Sequence, residues 1–142
     1  MQLSKHFYLK EFTVSETADR RGVDNTPSET VKKNLSRICD DILEPLREAI
    51  QTPIVITSGY RCKVLNTLVG GSKNSQHVKG EAVDFIIPGV SDDEVFSKIK
   101  QLDLPYHQLI NEYPSSPTGG WIHVSITPEG EKPRKQILNI GE

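Results

Sequence analysis

The order of helical and strand-like segments predicts an α+β fold in a single domain. A helical apolar pattern comes first, the strand-like segments cluster after residue 50, and proline or glycine separates those segments from one another. An alternating βαβ pattern is absent, which argues against a parallel sheet. A chain of 142 residues fits one domain, which we divide into a helical part over about 1–50 and a sheet-bearing part over about 51–142.

The longest predicted helix begins at Thr26 and Pro27. Thr26 is suited to cap it, Pro27 to occupy its first position, and Glu29 to complete a capping box. Apolar residues then recur at steps of three or four, on one face: Val31, Leu35, Ile38, Ile42, Leu46 and Ala49. Pro45 interrupts this pattern, so we expect a kink or a break there.

The later elements follow from shorter patterns. A second helix is predicted to begin at Ser91, with Glu94 three residues further on, and to bury Val95, Ile99 and Leu102. Strands are predicted over residues 54–57, 82–87, 107–112 and 121–127. Breaks between them are expected at Pro88-Gly89 and over 114–120, where proline and glycine recur.

Charge and composition exclude several classes of function. Lys and Arg number 17 against 19 Asp and Glu, a formal charge of -2, so we expect no nucleic-acid partner. Cys39 and Cys62 have no metal-type spacing and leave the redox compartment open. The N-terminal residues lack the apolar core of a signal peptide, and no apolar run reaches membrane-spanning length. We therefore expect cytoplasmic synthesis and no membrane insertion.

A carboxylate and two histidines form a candidate metal site. Asp84 lies within an apolar strand, where a charge is costly unless it is paired or binds a metal, and His77 precedes that strand. Strand alternation places Trp121, His123 and Ser125 on one face of another strand. Two His and one Asp are ligands that a catalytic zinc accepts, with a fourth position for water. On spacing alone, ordinary surface or core residues are the more frequent explanation.

Several motifs, in order, resemble a known family. They read TSGYRC at 57–62, LN at 65–66, VGGS at 69–72, SQH at 75–77, GEAVD at 80–84 and WIHVS at 121–125, with LSKHF at 3–7 and DNTP at 24–27. These motifs resemble the zinc D-Ala-D-Ala carboxypeptidases and their relatives, the phage L-alanyl-D-glutamate endopeptidases, the lysostaphin-type enzymes and the Hedgehog signalling domain. The resemblance implies a central, mainly antiparallel sheet flanked by helices.

The same resemblance implies roles for individual residues. His77, Asp84 and His123 would hold one Zn²⁺ ion. Arg61 matches the arginine of the S-G-Y-R motif, which contacts the substrate carboxylate or the developing oxyanion, a role that suits a permanently charged planar fork. Ser75 would hydrogen-bond within the site or support a ligand, although a turn-forming serine is nearly as frequent.

The general base is expected at Glu112. Some relatives carry a glutamate three residues before the last histidine, but this chain has Gly120 there. Residues 107–112 instead resemble the D-x-x-x-x-E stretch of phage peptidases, with His107 in place of the aspartate. Strand alternation allows Glu112 to face the metal, take a proton from the attacking water and pass it to the leaving amine. The alternative for Glu112 is a solvated strand end, and Trp121 either walls the cleft and binds substrate or caps the core.

These features predict a zinc-dependent peptidase that hydrolyses an amide bond in peptidoglycan stem peptides. The phage-like motifs favour an endolysin-type endopeptidase of a phage or prophage, which would act as a monomer at the cell wall after release. One alternative is a D-Ala-D-Ala carboxypeptidase, which needs a closed cleft that recognises a free carboxylate. Another is an inactive zinc-binding module of a phage particle, against which the intact set of site residues argues.

Overall fold

A computed structural model describes residues 1–113 and 119–141. Its α-helices are α1 (Leu9–Thr13), α2 (Glu16–Arg21), α3 (Glu29–Ile38), α4 (Glu44–Ile50), α5 (Lys63–Leu68) and α6 (Asp92–Gln101). Its strands are β1 (Val55–Ser58), β2 (Ala82–Ile86), β3 (Tyr106–Glu112), β4 (Trp121–Ile126) and β5 (Gln136–Ile140). A π-helical turn covers Cys39–Leu43, and a 3₁₀ turn covers Gln76–Lys79.

The five strands form one mixed sheet in the order β1-β2-β4-β3-β5. Three neighbouring pairs are antiparallel, and only β5 runs parallel to its neighbour β3. The sheet therefore confirms the predicted α+β class. The four predicted strands are all present, with ends displaced by no more than one residue, whereas β5 had no counterpart in the prediction. The break predicted over 114–120 lies mostly outside the described residues.

The start of α3 corrects the prediction for its cap. Ser28, not Thr26, caps the helix, and its hydroxyl accepts a hydrogen bond from the Val31 amide at 3.2 Å. The Thr26 hydroxyl instead donates to Asp24 Oδ1 at 2.6 Å, within the preceding turn. Threonine and serine both cap helices well, but the Thr26 hydroxyl is already bonded to Asp24, and Ser28 is the residue that caps the helix.

The disruption expected at Pro45 takes the form of a wider helical turn. The Glu44 amide donates to the Cys39 carbonyl, five residues back, and α4 then continues to Ile50. The extra residue in this turn accommodates a proline that has no N–H to donate and whose ring would meet the carbonyl four residues earlier. The chain therefore stays helical across Pro45. Ala49 is exposed, which corrects its predicted place on the buried face.

Helix α6 begins as predicted. The Ser91 hydroxyl accepts from the Glu94 amide at 3.2 Å, and Val95 and Ile99 are fully buried. Leu102 lies at the C-terminal cap and is 37% exposed, so its predicted burial is wrong.

One hydrophobic cluster joins the N-terminal helices to the sheet. Its members from α3 to α4 include Leu35, Ile38, Ile42 and Leu46, and its members from the sheet include Val83, Phe85, Ile122 and Val124. Because side chains alternate along a strand, the opposite face of β2 and β4 carries Asp84 and His123. In the described part of the chain, no helix is long and apolar enough to span a bilayer.

Candidate metal centre

Two neighbouring strands and one turn position the three candidate ligands. Asp84 of β2 and His123 of β4 are directly opposed in the antiparallel ladder. His77 lies in the 3₁₀ turn, which ends at Gly80 with a φ of +69° before the chain enters β2. A side chain at Gly80 would meet Val31 of α3 at 2.8 Å, so glycine suits both the backbone angle and the packing there.

The distances among these residues fit a single metal ion. One ligand atom from each of His77, Asp84 and His123 lies within 4.8 Å of the other two. His77 Nε2 lies 3.4 Å from Asp84 Oδ2, and His123 Nδ1 lies 2.8 Å from Asp84 Oδ1. Ligands about 2.0–2.1 Å from a tetrahedral zinc lie about 3.3 Å apart. Two imidazoles and one carboxylate therefore have both the donor chemistry and the spacing that zinc requires.

Each histidine presents a nitrogen to this cluster. His77 Nδ1 lies 2.8 Å from the Gly59 carbonyl, which can only accept, so Nδ1 carries a proton and Nε2 is the nitrogen that faces Asp84. His123 Nδ1 donates to Asp84 Oδ1 at 2.8 Å. A metal would take the place of that proton, because a ligating nitrogen must be deprotonated.

The environment of Asp84 explains how an apolar strand can contain a carboxylate. Burial alone would raise the pKa of Asp84, but hydrogen bonds and charges from His123 and His77 outweigh it and hold the pKa well below its ordinary value. Asp84 is therefore ionised at neutral pH. With His77 only 4% exposed, the ionised carboxylate lies in a largely buried site, where a bound cation would offset its charge.

Arg61 lies on the segment between β1 and α5 and lines the same cleft. Its Nη2 donates to the Ser75 hydroxyl at 3.3 Å, and its Nε is buried without a hydrogen-bond partner among the described residues. Burial lowers the pKa of Arg61, opposed by the charge of Asp84. Arg61 thus brings a guanidinium, with its planar set of N–H donors, to the lining of the cleft.

Ser75 links Arg61 to the ligand turn. Its hydroxyl caps the 3₁₀ turn by accepting from the His77 amide at 3.2 Å, and it also accepts from Arg61. Ser75 therefore does both things that were expected of it as alternatives: its hydroxyl forms the turn, and through the same contacts it supports Arg61 and the segment that carries His77.

Glu112 and Trp121 lie at the other end of the cleft. They are opposed in the β3–β4 ladder, and Trp121 Nε1 donates to Glu112 Oε2 at 2.8 Å. Burial, and then the charge of Asp84, raise the pKa of Glu112, while the bond from Trp121 lowers it in part. Glu112 is therefore not a freely solvated strand end. Trp121 packs against Tyr113, with ring centroids 5.3 Å apart and the planes tilted by 41°, and it lines the cleft.

Two neighbouring positions clarify the expectation for the base. A side chain at Gly120 would lie 2.3 Å from the Glu112 carbonyl, so the backbone has no room for the glutamate that some relatives carry there. His107 does not line the cleft, and its Nδ1 accepts from the Arg134 amide at 3.4 Å.

The cleft has a volume of about 390 Å³ and contains every residue that the sequence predicted for the site. Those residues are Arg61, Ser75, His77, Asp84, Glu112, Trp121 and His123. The sequence reasoning missed other lining residues: Ser72, Asn74, Gln76, Gln108 and Ile110. Proximity to the SQH motif was the available signal for Asn74 and Gln76, and strand alternation with Glu112 was the signal for Gln108 and Ile110.

A buried His–Asp–His cluster with a glutamate and an arginine beside it, on an α+β sheet, is the arrangement of a metallopeptidase. Comparison with protein families agrees, because the family described as Peptidase M15 matches residues 5–125. The chain therefore belongs to the Peptidase M15 family, whose members are zinc-dependent peptidases. The matched range contains all three candidate ligands. No curated protein matches the chain.

Proposed function

We propose that this protein is a zinc-dependent endopeptidase that cleaves an amide bond in peptidoglycan stem peptides, of the type used by phage or prophage endolysins. The observation that carries the proposal is one cleft that is lined by Glu112 and Arg61 together with the His–Asp–His cluster. On this proposal the enzyme acts as a monomer at the cell wall, after release from the cell that makes it.

His77, Asp84 and His123 would hold the zinc ion. When bound, zinc supplies a Lewis acid that polarises the scissile carbonyl and lowers the pKa of water to about 7. Glu112 takes a proton from the attacking water as the new C–O bond forms, and then gives it to the nitrogen as the C–N bond breaks. The raised pKa of Glu112 supports this role, because a shuttle works best when its pKa approaches the operating pH.

Arg61 would bind negative charge on the substrate. Stem peptides contain free carboxylates, and the tetrahedral intermediate carries an oxyanion. The Arg61 guanidinium lines the cleft, and a guanidinium can donate to either group. Ser75 would support Arg61 and His77, and Trp121 would form the wall against which the substrate lies.

A second recess favours an endopeptidase over a carboxypeptidase. It has a volume of about 340 Å³, lies between the α1–α2 region and β1, and shares Arg61 with the cleft. Because Arg61 lines both spaces, the proposal is that a substrate bound at Arg61 extends into this recess. A carboxypeptidase needs the opposite arrangement, with a closed end behind the group that binds the terminal carboxylate.

Mass spectrometry of purified peptidoglycan tests the proposal. The zinc-loaded protein is incubated with walls of several types, beside a chelator-treated sample and the ligand variant Asp84→Ala. New chelator-sensitive fragments cut within the stem peptide or at a cross-bridge would support the endopeptidase and name the bond. Loss of terminal D-Ala alone would establish the carboxypeptidase instead. Unchanged muropeptides from zinc-loaded protein would favour the binding module.

A further inference from the structure

The segment that carries Arg61 depends on other parts of the chain for its conformation. Residues 59–62 lie between β1 and α5 and belong to neither element. The Arg61 amide donates to the His77 carbonyl at 3.2 Å, and the Tyr60 amide donates to the Phe12 carbonyl at 2.7 Å. The backbones approach closely here, since a side chain at Gly59 would lie 2.4 Å from the Phe12 carbonyl oxygen.

Asn25 forms two further hydrogen bonds with this segment. Its Oδ1 accepts from the Cys62 amide at 2.8 Å, and its Nδ2 donates to the Tyr60 carbonyl at 3.0 Å. The same Nδ2 donates to the Thr13 carbonyl, also at 3.0 Å. The side chain therefore bonds the residues immediately before and after Arg61 and connects both to the end of α1.

Only an amide of this length matches these three backbone groups. The Cys62 amide requires an acceptor, whereas the two carbonyls require donors, and a carboxylate or an apolar side chain cannot supply both. Asn25 is 9% exposed, so a lost partner would leave buried backbone groups unsatisfied. Asn25 does not line the cleft.

We propose that Asn25 is a positioning residue that acts through Arg61, by fixing the backbone on both sides of it. This inference rests on the proposed function, because it assigns Asn25 to the placement of the group that binds substrate charge. Displacing a positioned group by about 1 Å can cost on the order of 10²-fold in rate. A positioning role differs from ordinary packing in one respect: substitution of Asn25 should lower kcat/KM only in a protein that still contains Arg61.

A double-mutant cycle tests the dependence on Arg61. The variants Asn25→Ala, Arg61→Ala and their combination are assayed as zinc-loaded proteins on peptidoglycan fragments. Ser91→Ala is the control, because it removes the cap of α6 and lowers stability far from Arg61. We expect Asn25→Ala to lower kcat/KM by about tenfold or more, to add nothing in the Arg61→Ala protein and to keep its zinc. Equal losses in both backgrounds, or no loss in either, would overturn the proposal.

Hydrogen exchange separates this proposal from the proposed function. The amides of Arg61 and Cys62 are followed by NMR in zinc-loaded protein, which requires no activity. In Asn25→Ala, they should exchange about tenfold faster or more than in Ser91→Ala, and unchanged exchange would refute the positioning role. A wild-type protein that cleaves no wall would refute the peptidase alone. If Asn25→Ala does not fold, Asn25→Asp carries the same tests, since it keeps the acceptor for Cys62 and loses both donors.

Discussion

The two ends of the cleft are held in different ways. At the Arg61 end, hydrogen bonds join the backbone of residues 59–62 to Phe12, Asn25 and His77. At the Glu112 end, the carboxylate has one side-chain bond among the residues that the structure describes, from Trp121, and the β3–β4 ladder fixes its backbone. One end thus depends on residues distant in sequence and the other on the sheet beneath it. Remote substitutions should therefore act on Arg61, and only local ones on Glu112.

The largest effect is expected from Glu112→Gln. It keeps the size of the side chain and removes the proton acceptor, so kcat/KM should fall by about 10²–10⁴-fold. Zinc content should not change, because Glu112 is outside the ligand cluster. Steady-state kinetics and metal analysis of the same preparation check both statements. Activity within a few-fold of wild type would remove Glu112 from the base role.

A smaller loss is expected from Arg61→Lys. Lysine keeps the charge but not the planar fork or the bond to Ser75, so kcat/KM should fall by about 10- to 100-fold. A rise in KM alone would identify Arg61 as an anchor for a substrate carboxylate, and a fall in kcat would place it at the developing oxyanion. Arg21→Lys, at an exposed position of α2, is the matched control and should behave as wild type.

Trp121→Phe should displace the pH profile more than the maximal rate. The Trp121 bond lowers the pKa of Glu112, which burial and Asp84 raise. Without that bond the pKa rises further, and because the reaction needs ionised Glu112, the acidic limb of kcat/KM should move to higher pH. The pH dependence of kcat/KM in both proteins measures this shift. An acidic limb that stays in place or moves to lower pH would contradict the assignment of Glu112.

The smallest effect on activity is expected from Glu44→Gln, which tests the remote support of Arg61. Glu44 accepts from the Ser4 hydroxyl, the His6 amide and His6 Nδ1, and so secures the segment that leads to Phe12. Loss of its charge should lower the free energy of unfolding by about 1–2 kcal/mol at pH 7. The kcat/KM of the folded variant should change by less than about threefold.

The pH dependence of the Glu44→Gln effect has a defined sign. Burial raises the pKa of Glu44, but its hydrogen bonds to Ser4 and His6 outweigh this and lower it below the ordinary value of 4.5. The stabilisation is therefore complete above about pH 4.5 and is lost as the pH falls through the lower pKa of the folded protein. Urea unfolding of wild type and variant should differ at pH 7 and converge in acid. Glu48→Gln, at an exposed position of α4, is the control.

The sequence predicted the parts of the fold that regular patterns specify. Short apolar segments separated by proline and glycine located β1 to β4, and the spacing after Ser91 located α6. The short helices α1, α2 and α5 have only five or six residues, too few for a periodic pattern, and tertiary contacts such as the burial of Phe12 stabilise them. Strand β5 escaped prediction because it is an exposed edge strand whose partner is distant in sequence.

The candidate site divides in the same way. Its side-chain chemistry was predictable, because His77, Asp84, His123 and Arg61 lie in motifs. The contacts that orient those side chains were not predictable. The hydrogen bonds of the Gly59 carbonyl and of Asn25 involve backbone groups, and such bonds produce no motif or spacing in the sequence. Glu112 is an intermediate case. Strand alternation predicted the face of β3 on which Glu112 lies. Only the structure explains why position 120 carries no glutamate, because the backbone of Glu112 is too close to Gly120 for a side chain.

The strand order has a consequence for the folding kinetics of this protein. β3 and β4 are consecutive in the chain. The pairing of β2 with β4, in which Asp84 lies opposite His123, instead joins residues 39 positions apart. Closure of long loops is slow, so β3–β4 pairing should precede the pairing of β2 with β4. The three ligands meet only after this second step. Zinc should therefore slow unfolding and leave the rate of refolding nearly unchanged, because the transition state would lack a complete set of ligands.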